Sequence, residues 1–154
     1  MEKEMPLGLR FSILHRLFRK ELDERLRESG LTGVQFGVLG QLRRLEDSGA
    51  EEVNQRDLEN ATRRGHPTMT EIVKRLEKQG FIVCSPSERD RRYKSIRSTE
   101  KAESLLRDMK ELDDAISQSL CRGLSGEEID SLLSITDNML ANAGIFHEKG
   151  RCDT

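Results

Sequence analysis

Apolar residues recur every three or four positions in the first part of the chain, which predicts two amphipathic helices. The first helix begins at Pro6 and ends at Gly30, and its stripe is Leu7, Phe11, Leu14, Phe18, Leu22 and Leu26. Thr32 and Gln35 have the spacing of a capping box, so a second helix begins after Thr32 and ends at residues 47–49. Its stripe is Val34, Val38, Leu39, Leu42 and Leu45.

The middle of the chain predicts two short helices followed by a hairpin. Asn54 caps the first of them, whose inward residues are Leu58 and Ala61. After a turn at residues 63–65, the second begins near Pro67, ends at Gly80 and buries Met69, Ile72, Val73 and Leu76. Residues 81–83 and 91–97 are predicted strands on either side of a polar loop at 85–90, and residues 51–53 are a strand-like link.

Two long helices complete the prediction. Thr99 caps a helix that reaches about Arg122, with the stripe Ala102, Leu105, Leu106, Met109, Leu112 and Ile116. Ser125 and Glu128 form a capping box for the last helix, which ends at Gly144 and has the stripe Ile129, Leu132, Leu133, Ile135, Met139 and Leu140. Residues 148–154 are a polar tail that we expect to be frayed. The fold class is therefore mostly α with a small β-hairpin.

Composition narrows the class of protein further. No apolar run approaches the roughly 20 residues of a membrane span, and residues 1–10 lack the apolar core of a signal peptide. Cys84, Cys121 and Cys152 are widely spaced, which favours reduced thiols in the cytoplasm over a disulfide scaffold. Scattered histidines and cysteines predict no metal site, and the chain has no motif for a phosphate, a cofactor or a catalytic triad. We therefore expect neither an enzyme nor a bound cofactor.

The net charge of −2 conceals a basic segment. Residues 63–101 contain 11 Lys and Arg against 5 Asp and Glu, so the remainder of the chain is acidic. A basic block inside an acidic protein is typical of a local contact with a polyanion such as nucleic acid.

The basic segment coincides with a helix-turn-helix followed by a hairpin. In such a motif the N-terminal end of the second helix enters the major groove of DNA, and an arginine on the hairpin can reach the minor groove. The candidate DNA-binding residues of the turn and second helix are Arg63, Arg64, His66, Thr68, Thr70, Lys74 and Arg75. Those of the hairpin are Arg89, Asp90, Arg91, Arg92 and Lys94.

Two motifs in this region resemble those of MarR-type transcriptional regulators. Thr68-Met69-Thr70 with Arg75-Leu76-Glu77-Lys78-Gln79-Gly80 is similar to the recognition helix of that family, and Asp90-Arg91-Arg92-Tyr93-Lys94 with Thr99 is similar to its wing. The resemblance extends from about Leu7 to about Ala143. Ser98 and Ala102 depart from the usual Leu and Gly at the base of the wing, and His66-Pro67 is a less usual start to the recognition helix.

The resemblance implies a dimeric winged-helix repressor. It implies that Asp90 holds Arg92 by an ion pair and that residues 1–154 form one MarR-like domain. Within that domain residues 31–99 would form the DNA-binding lobe, and residues 1–30 and 100–145 would form the dimerisation helices. A two-fold dimer matches a pseudo-palindromic operator.

We therefore expect a sequence-specific regulator, relieved by a small lipophilic or phenolic effector as in many members of that family. His15, Arg16, Phe18 and Phe36 are candidate residues of the effector pocket, although packing explains each of them equally well. Two alternatives stay open at this point. One is a thiol- or redox-responsive regulator with the same fold, and the other is a winged-helix adaptor that binds protein without DNA specificity.

Overall fold

The computed structural model describes residues 5–144, in which six helices accompany one antiparallel hairpin. The elements in chain order are α1 (Leu7–Ser29), α2 (Gly33–Asp47), α3 (Gln55–Thr62), α4 (His66–Lys78), β1 (Ile82–Pro86), β2 (Lys94–Ser98), α5 (Glu100–Leu120) and α6 (Gly126–Asn142). The chain divides into two compact units between Asp114 and Ala115, within α5. Cys152 and the predicted frayed tail at residues 148–154 lie outside the described residues.

The helix boundaries follow from local hydrogen bonds that the sequence predicts. Gly30 ends α1 in the left-handed region at φ 75°, where a glycine has no Cβ to clash. Thr32 and Gln35 form a reciprocal capping box at the start of α2, and Ser125 and Glu128 form one at the start of α6. Asn54 caps α3 in the same way with Asp57, so all of the predicted caps of these helices are confirmed.

One hydrophobic core holds the first unit together. It is formed by the end of α1, by α2, α3, α4, the hairpin and the first half of α5, and its least exposed side chains include Leu39, Leu42, Leu58, Met69, Leu76, Phe81 and Ala102. All four predicted inward residues of α4 are buried, and Met109 of α5 is buried as predicted. Burial of this apolar surface is the main stabilising contribution to the lobe.

The strands lie further along the chain than predicted. Phe81 is not part of β1, because its N–H donates to the carbonyl of Leu76 and its carbonyl accepts from Thr99. It therefore closes α4 and anchors α5, and pairing begins with Ile82 opposite Ser98. As a result Cys84 lies within β1, opposite Ile96, rather than after the strand. The predicted link at 51–53 forms no strand, but the N–H of Ile96 donates to the carbonyl of Val53 at 2.7 Å.

Three further details of the helices differ from the prediction. Val34 is exposed because Gln35, rather than Val34, occupies the first inward position of the stripe that continues with Val38 and Leu42. Ala61 is exposed at the end of the short helix α3. Helix α5 ends at Leu120 rather than at Arg122, ahead of a turn in which Gly123 adopts φ 91°.

Helices α1 and α6 keep many apolar side chains in contact with solvent. In α1 only Leu26 is buried, and the exposed ones include Leu7, Leu9, Phe11, Leu14 and Leu17. No residue of α6 is buried, and Leu132, Leu133, Ile135 and Met139 are exposed. Among residues 5–144, no helix combines the length and the apolar character that crossing a membrane requires.

The two valines of α2 provide a matched test of this packing. Val38 is 1% exposed and Val34 is 43% exposed, although both lie on the same helix. Val38→Ala should lower the free energy of unfolding by about 1.5–3 kcal/mol, since it removes buried methyl groups and leaves a cavity. Val34→Ala is the control and should change it by less than about 0.5 kcal/mol. Urea denaturation followed by circular dichroism measures both, and equal losses would contradict the packing described here.

Candidate nucleic-acid interface

Helices α3 and α4 form the helix-turn-helix, and the turn between them has an unusual backbone. Arg63 adopts φ 52° and ψ 38°, the left-handed conformation that side chains with a Cβ rarely adopt. Gly65 is the N-cap of α4, and Pro67 lies in its first turn. Proline has no N–H, but at this position an N–H would have no partner within the helix. Arg63, Arg64 and His66 are all exposed at this corner.

Polar side chains of α3 hold the first residues of α4. The Nδ1 atom of His66 lies 2.7 Å from Oε1 of Glu59, and the amide Nε2 of Gln55 lies 2.9 Å from the same oxygen. The Gln55 amide also donates to the hydroxyl of Thr70 at 2.8 Å. The Gln55 hydrogen bond is the main reason why the pKa of Glu59 is below its usual value. The sequence analysis missed Gln55 and Glu59, and their i,i+4 spacing on α3 was the available signal.

The remaining candidate residues of α4 differ in their exposure. Thr68, Lys74 and Arg75 are exposed. Thr70 is half-buried, and its hydroxyl donates to the carbonyl of His66 at 2.9 Å while it accepts from Gln55. The hydroxyl of Thr70 is thus already engaged within the helix-turn-helix. Lys74 lies 3.4 Å from Glu71, an exposed pair of little energetic weight.

The tip of the hairpin carries an arginine held by an aspartate. Nε of Arg92 lies 3.0 Å from Oδ1 of Asp90 and Nη2 lies 2.7 Å from Oδ2, and the backbone N–H of Arg92 also donates to Oδ1. These bonds keep the pKa of the Asp90 carboxyl below its ordinary value. The Arg92 side chain is nevertheless 83% exposed. The ion pair that the resemblance implies is therefore present, and it fixes a cation that faces solvent.

The other basic residues of the hairpin surround this pair. Arg89 contacts the carboxylate of Glu51, whereas Arg91 and Lys94 are exposed. Together with Arg63 and Arg64, they leave the helix-turn-helix and the hairpin rich in cations. Such an arrangement attracts a polyanion.

Two carboxylates anchor the hairpin, one at the end of α2 and one in the connection between α2 and α3. Glu52 accepts hydrogen bonds from the hydroxyl of Ser87 and from the N–H of Glu88 at 2.9 Å. Glu46 accepts from the N–H and the hydroxyl of Ser98. Ser98 therefore has a polar partner that the usual Leu at this position would lack. On the other side of the hairpin, the hydroxyl of Thr99 donates to the carbonyl of Gly80 at 2.7 Å.

A cavity of about 280 Å³ lies between the helix-turn-helix and the hairpin, and its lining includes Gln55, His66, Cys84, Arg92 and Tyr93. Burial raises the pKa of the Cys84 thiol to about 11, and the nearby carboxylate of Glu77 adds to this shift. A thiol with so high a pKa carries very little of the reactive thiolate at neutral pH. This property does not favour Cys84 as a redox sensor.

The four candidate effector residues are placed differently from one another. His15 and Arg16 are exposed on α1, Phe18 is half-buried on the same helix, and Phe36 packs against the core from α2. None of them lines the cavity beside the hairpin. Within the part of the chain that the structure describes, no three His, Cys, Asp or Glu side chains are placed to hold a metal ion.

A helix-turn-helix followed by a two-stranded wing defines a winged-helix protein. Residues 29–92 match the model of the MarR family. The MepR–DNA complex of S. aureus has a similar fold, with a TM-score of 0.71 and 24% identity over 86% of this chain and 96% of that one. MepR of S. aureus bound to ethidium bromide gives a TM-score of 0.70 and 23% identity, covering 92% and 99% of the two chains. A cysteine-to-serine mutant of MarR from E. coli gives a TM-score of 0.64 and 21% identity, over 90% of this chain and 99% of that one.

The family match covers α2, α3, α4 and the start of the wing, and the structural likeness covers most of the chain. The chain therefore has a winged-helix fold, similar to those of MepR and MarR.

The anchoring of the hairpin can be tested through the titration of Glu52. Its pKa is lowered, first by the hydrogen bond from Ser87 and then by that from the N–H of Glu88. Because the folded state lowers this pKa, its contribution to stability is present above the pKa of the unfolded chain and is lost as the pH falls through the lowered value. Ser87→Ala should therefore raise the pKa of Glu52 toward the ordinary value, measured by ¹³C NMR of the side-chain carboxyl.

Ser85→Ala is the matched control, because Ser85 is an exposed serine of β1 two residues before Ser87. It should leave the titration of Glu52 unchanged. An unchanged titration in Ser87→Ala would show that the serine does not anchor the wing.

Proposed function

We propose that the protein is a DNA-binding transcriptional regulator. The observation that carries this proposal is the Asp90–Arg92 pair, which holds an exposed guanidinium at the tip of a wing that follows a helix-turn-helix. Holding the arginine in advance reduces the entropy lost when it enters a narrow, negative minor groove. The likeness to the DNA complex of S. aureus MepR supports the same use of the fold.

The candidate DNA-binding residues divide into three groups on this proposal. The exposed residues His66, Thr68 and Lys74 lie on α4, which would enter the major groove with its N-terminal end foremost. Arg89, Arg91, Arg92 and Lys94 would contact the neighbouring backbone and minor groove from the wing. Arg63, Arg64, Thr70 and Arg75 complete the interface, in which Thr70 supports the start of α4 through Gln55.

The regulator acts as a homodimer on this proposal. The apolar side chains that α1 and α6 expose would be costly in a monomer, and a second copy of the chain would cover them. Residues 1–30 and 100–145 would form the dimer region and residues 31–99 the DNA-binding lobe. One recognition helix from each copy then reads one half of a pseudo-palindromic operator.

The proposed mode of action is repression in the cytoplasm, relieved by a small lipophilic or phenolic molecule. The ethidium-bound structure of S. aureus MepR supports a ligand of this general kind. Phe18 and Phe36 would supply the apolar wall of the pocket, and His15 and Arg16 its polar mouth. The high pKa of Cys84 argues against this particular thiol as the source of the releasing signal.

Binding to a duplex at several salt concentrations tests the central proposal. If a dimer neutralises about 6–10 phosphates, its affinity should fall on the order of 10³–10⁵-fold between 50 and 200 mM salt. Arg92→Ala should weaken binding by about 1–3 kcal/mol and reduce the salt slope by about one unit per half-site. Asp90→Asn should show part of that loss. Fluorescence anisotropy with a labelled duplex measures all of these quantities.

Arg27→Ala provides the control. Arg27 lies in the last turn of α1, so this substitution removes one positive charge at a position away from the wing. A salt-independent affinity would exclude recognition of the DNA backbone. Equal effects of Arg92→Ala and Arg27→Ala would exclude the wing.

The dimer can be tested by placing a charge on the exposed face of α6. Light scattering of the wild type should give about twice 17.6 kDa. Leu133→Glu should produce a folded monomer, since this residue is 57% exposed in a single chain and would carry its charge into the dimer interface. The neighbouring exposed residue gives the control Ser134→Glu, which should stay dimeric. A monomeric wild type would overturn this part of the proposal.

A further inference from the structure

The hydrogen bonds around His66 determine which of its ring nitrogens carries the proton. Nδ1 lies 2.7 Å from a carboxylate oxygen of Glu59, and a contact this short between two heavy atoms needs a proton between them. If Nδ1 were unprotonated, its lone pair would face the negative oxygen, which is repulsive. The carboxylate therefore selects the form of the ring in which Nδ1 is the donor.

The amide of Gln55 leads to the same conclusion. Its Nε2 has two protons, and two good acceptors lie near them: Oε1 of Glu59 at 2.9 Å and the hydroxyl of Thr70 at 2.8 Å. No amide proton is then left for Nδ1 of His66, which lies 3.2 Å away. The hydroxyl proton of Thr70 goes to the carbonyl of His66 at 2.9 Å. Neither Gln55 nor Thr70 therefore supplies a proton to the contact between His66 and Glu59, so that proton belongs to Nδ1 of His66.

The outer side of the ring remains available to a ligand. The side chain of His66 is 75% exposed, whereas that of Glu59 is only 18% exposed. In a neutral ring that is protonated on Nδ1, the outer nitrogen Nε2 is an acceptor and not a donor. His66 is also the first residue of α4, the end of the helix that the proposed function places in the major groove.

We propose that Glu59 and Gln55 lock His66 in its Nδ1–H tautomer, so that Nε2 accepts a hydrogen bond from an exocyclic amino group of the operator. This proposal rests on the proposed function. In the major groove the amino donors are N6 of adenine and N4 of cytosine, whereas N7 and O6 of guanine and O4 of thymine are acceptors. Glu59 and Gln55 are positioning residues that fix the chemistry of the contact without touching DNA.

The tautomer of His66, the lock in this proposal, is tested first without DNA. ¹⁵N NMR of the full chain with labelled histidine, at about pH 8, distinguishes the two neutral tautomers from the charged ring. The signals of His66 are assigned by their loss in His66→Asn. The expected result is a neutral ring with its proton on Nδ1, and a shift toward the Nε2–H form in Glu59→Leu. Glu71→Gln is the control and should leave the spectrum unchanged, because Glu71 is exposed on the outer side of α4.

The wild-type spectrum decides the first half of the proposal even if Glu59→Leu fails to fold. A wild-type ring protonated on Nε2, or on both nitrogens at this pH, would overturn the lock. This result does not depend on whether the protein binds DNA.

The base contact is tested on a duplex selected by the wild type from a random library. Amino groups are deleted one at a time, with purine in place of adenine and pyrimidin-2-one in place of cytosine. The wild type should lose about tenfold in affinity at one position in each half-site. His66→Asn, whose amide can still donate to Glu59 but does not extend to the position of Nε2, should be indifferent to that deletion.

Two other outcomes would overturn the base contact. If wild type and His66→Asn respond alike to every amino deletion, His66 does not read an amino group. 7-Deazapurines lack the N7 acceptor. If they weaken binding by the wild type but not by His66→Asn, the ring acts as a donor instead. A protein that binds no duplex at all would remove the proposed function, and the base contact with it, while the NMR result would still report on the lock.

Discussion

The position of the wing depends on two acidic residues that precede the helix-turn-helix. A two-stranded hairpin has little stability of its own, and its direction must be set by the body on which it rests. Glu46 binds the last residue of β2, Ser98, and Glu52 binds the start of the tip at Ser87. Between them the carbonyl of Val53 accepts from Ile96. The hairpin is therefore held at its base, its middle and its tip by one anchoring segment, residues 46–53.

This arrangement links the wing to α4 through the backbone. The anchoring segment leads into Asn54, whose side chain begins α3, and α3 in turn holds the start of α4 through Gln55 and Glu59. A shift of the segment would therefore move the wing and the first turn of α4 together. Ser87 joins the tip of the wing to Glu52. Its hydroxyl also accepts from the N–H groups of Arg89 and Asp90 and so orders the tip that carries Arg92.

Local patterns in the sequence predicted the helices and their caps, because these depend on residues within a few positions of one another. The stripe of α4 and the capping boxes are of this kind, whereas the Asp90–Arg92 pair was implied only by the resemblance to MarR-type regulators. The start of β1 was predicted one residue early. Phe81 is apolar like a strand residue, but its backbone forms hydrogen bonds with the end of α4 and the start of α5. The roles of Glu46 and Glu52 depend on partners 35–52 positions away, and no periodicity in one sequence contains that information.

The left-handed backbone at Arg63 lowers the stability of a turn that the proposed function places against DNA. A residue with a Cβ in this conformation costs roughly 1–2 kcal/mol, which glycine would avoid. Glycine at this position would also remove a cation from the exposed corner between α3 and α4. Selection for heat resistance alone would therefore favour glycine here, and selection for contact with a polyanion would favour arginine. Under the proposed function, the identity of residue 63 thus affects the thermal stability of the lobe and its affinity for DNA in opposite directions.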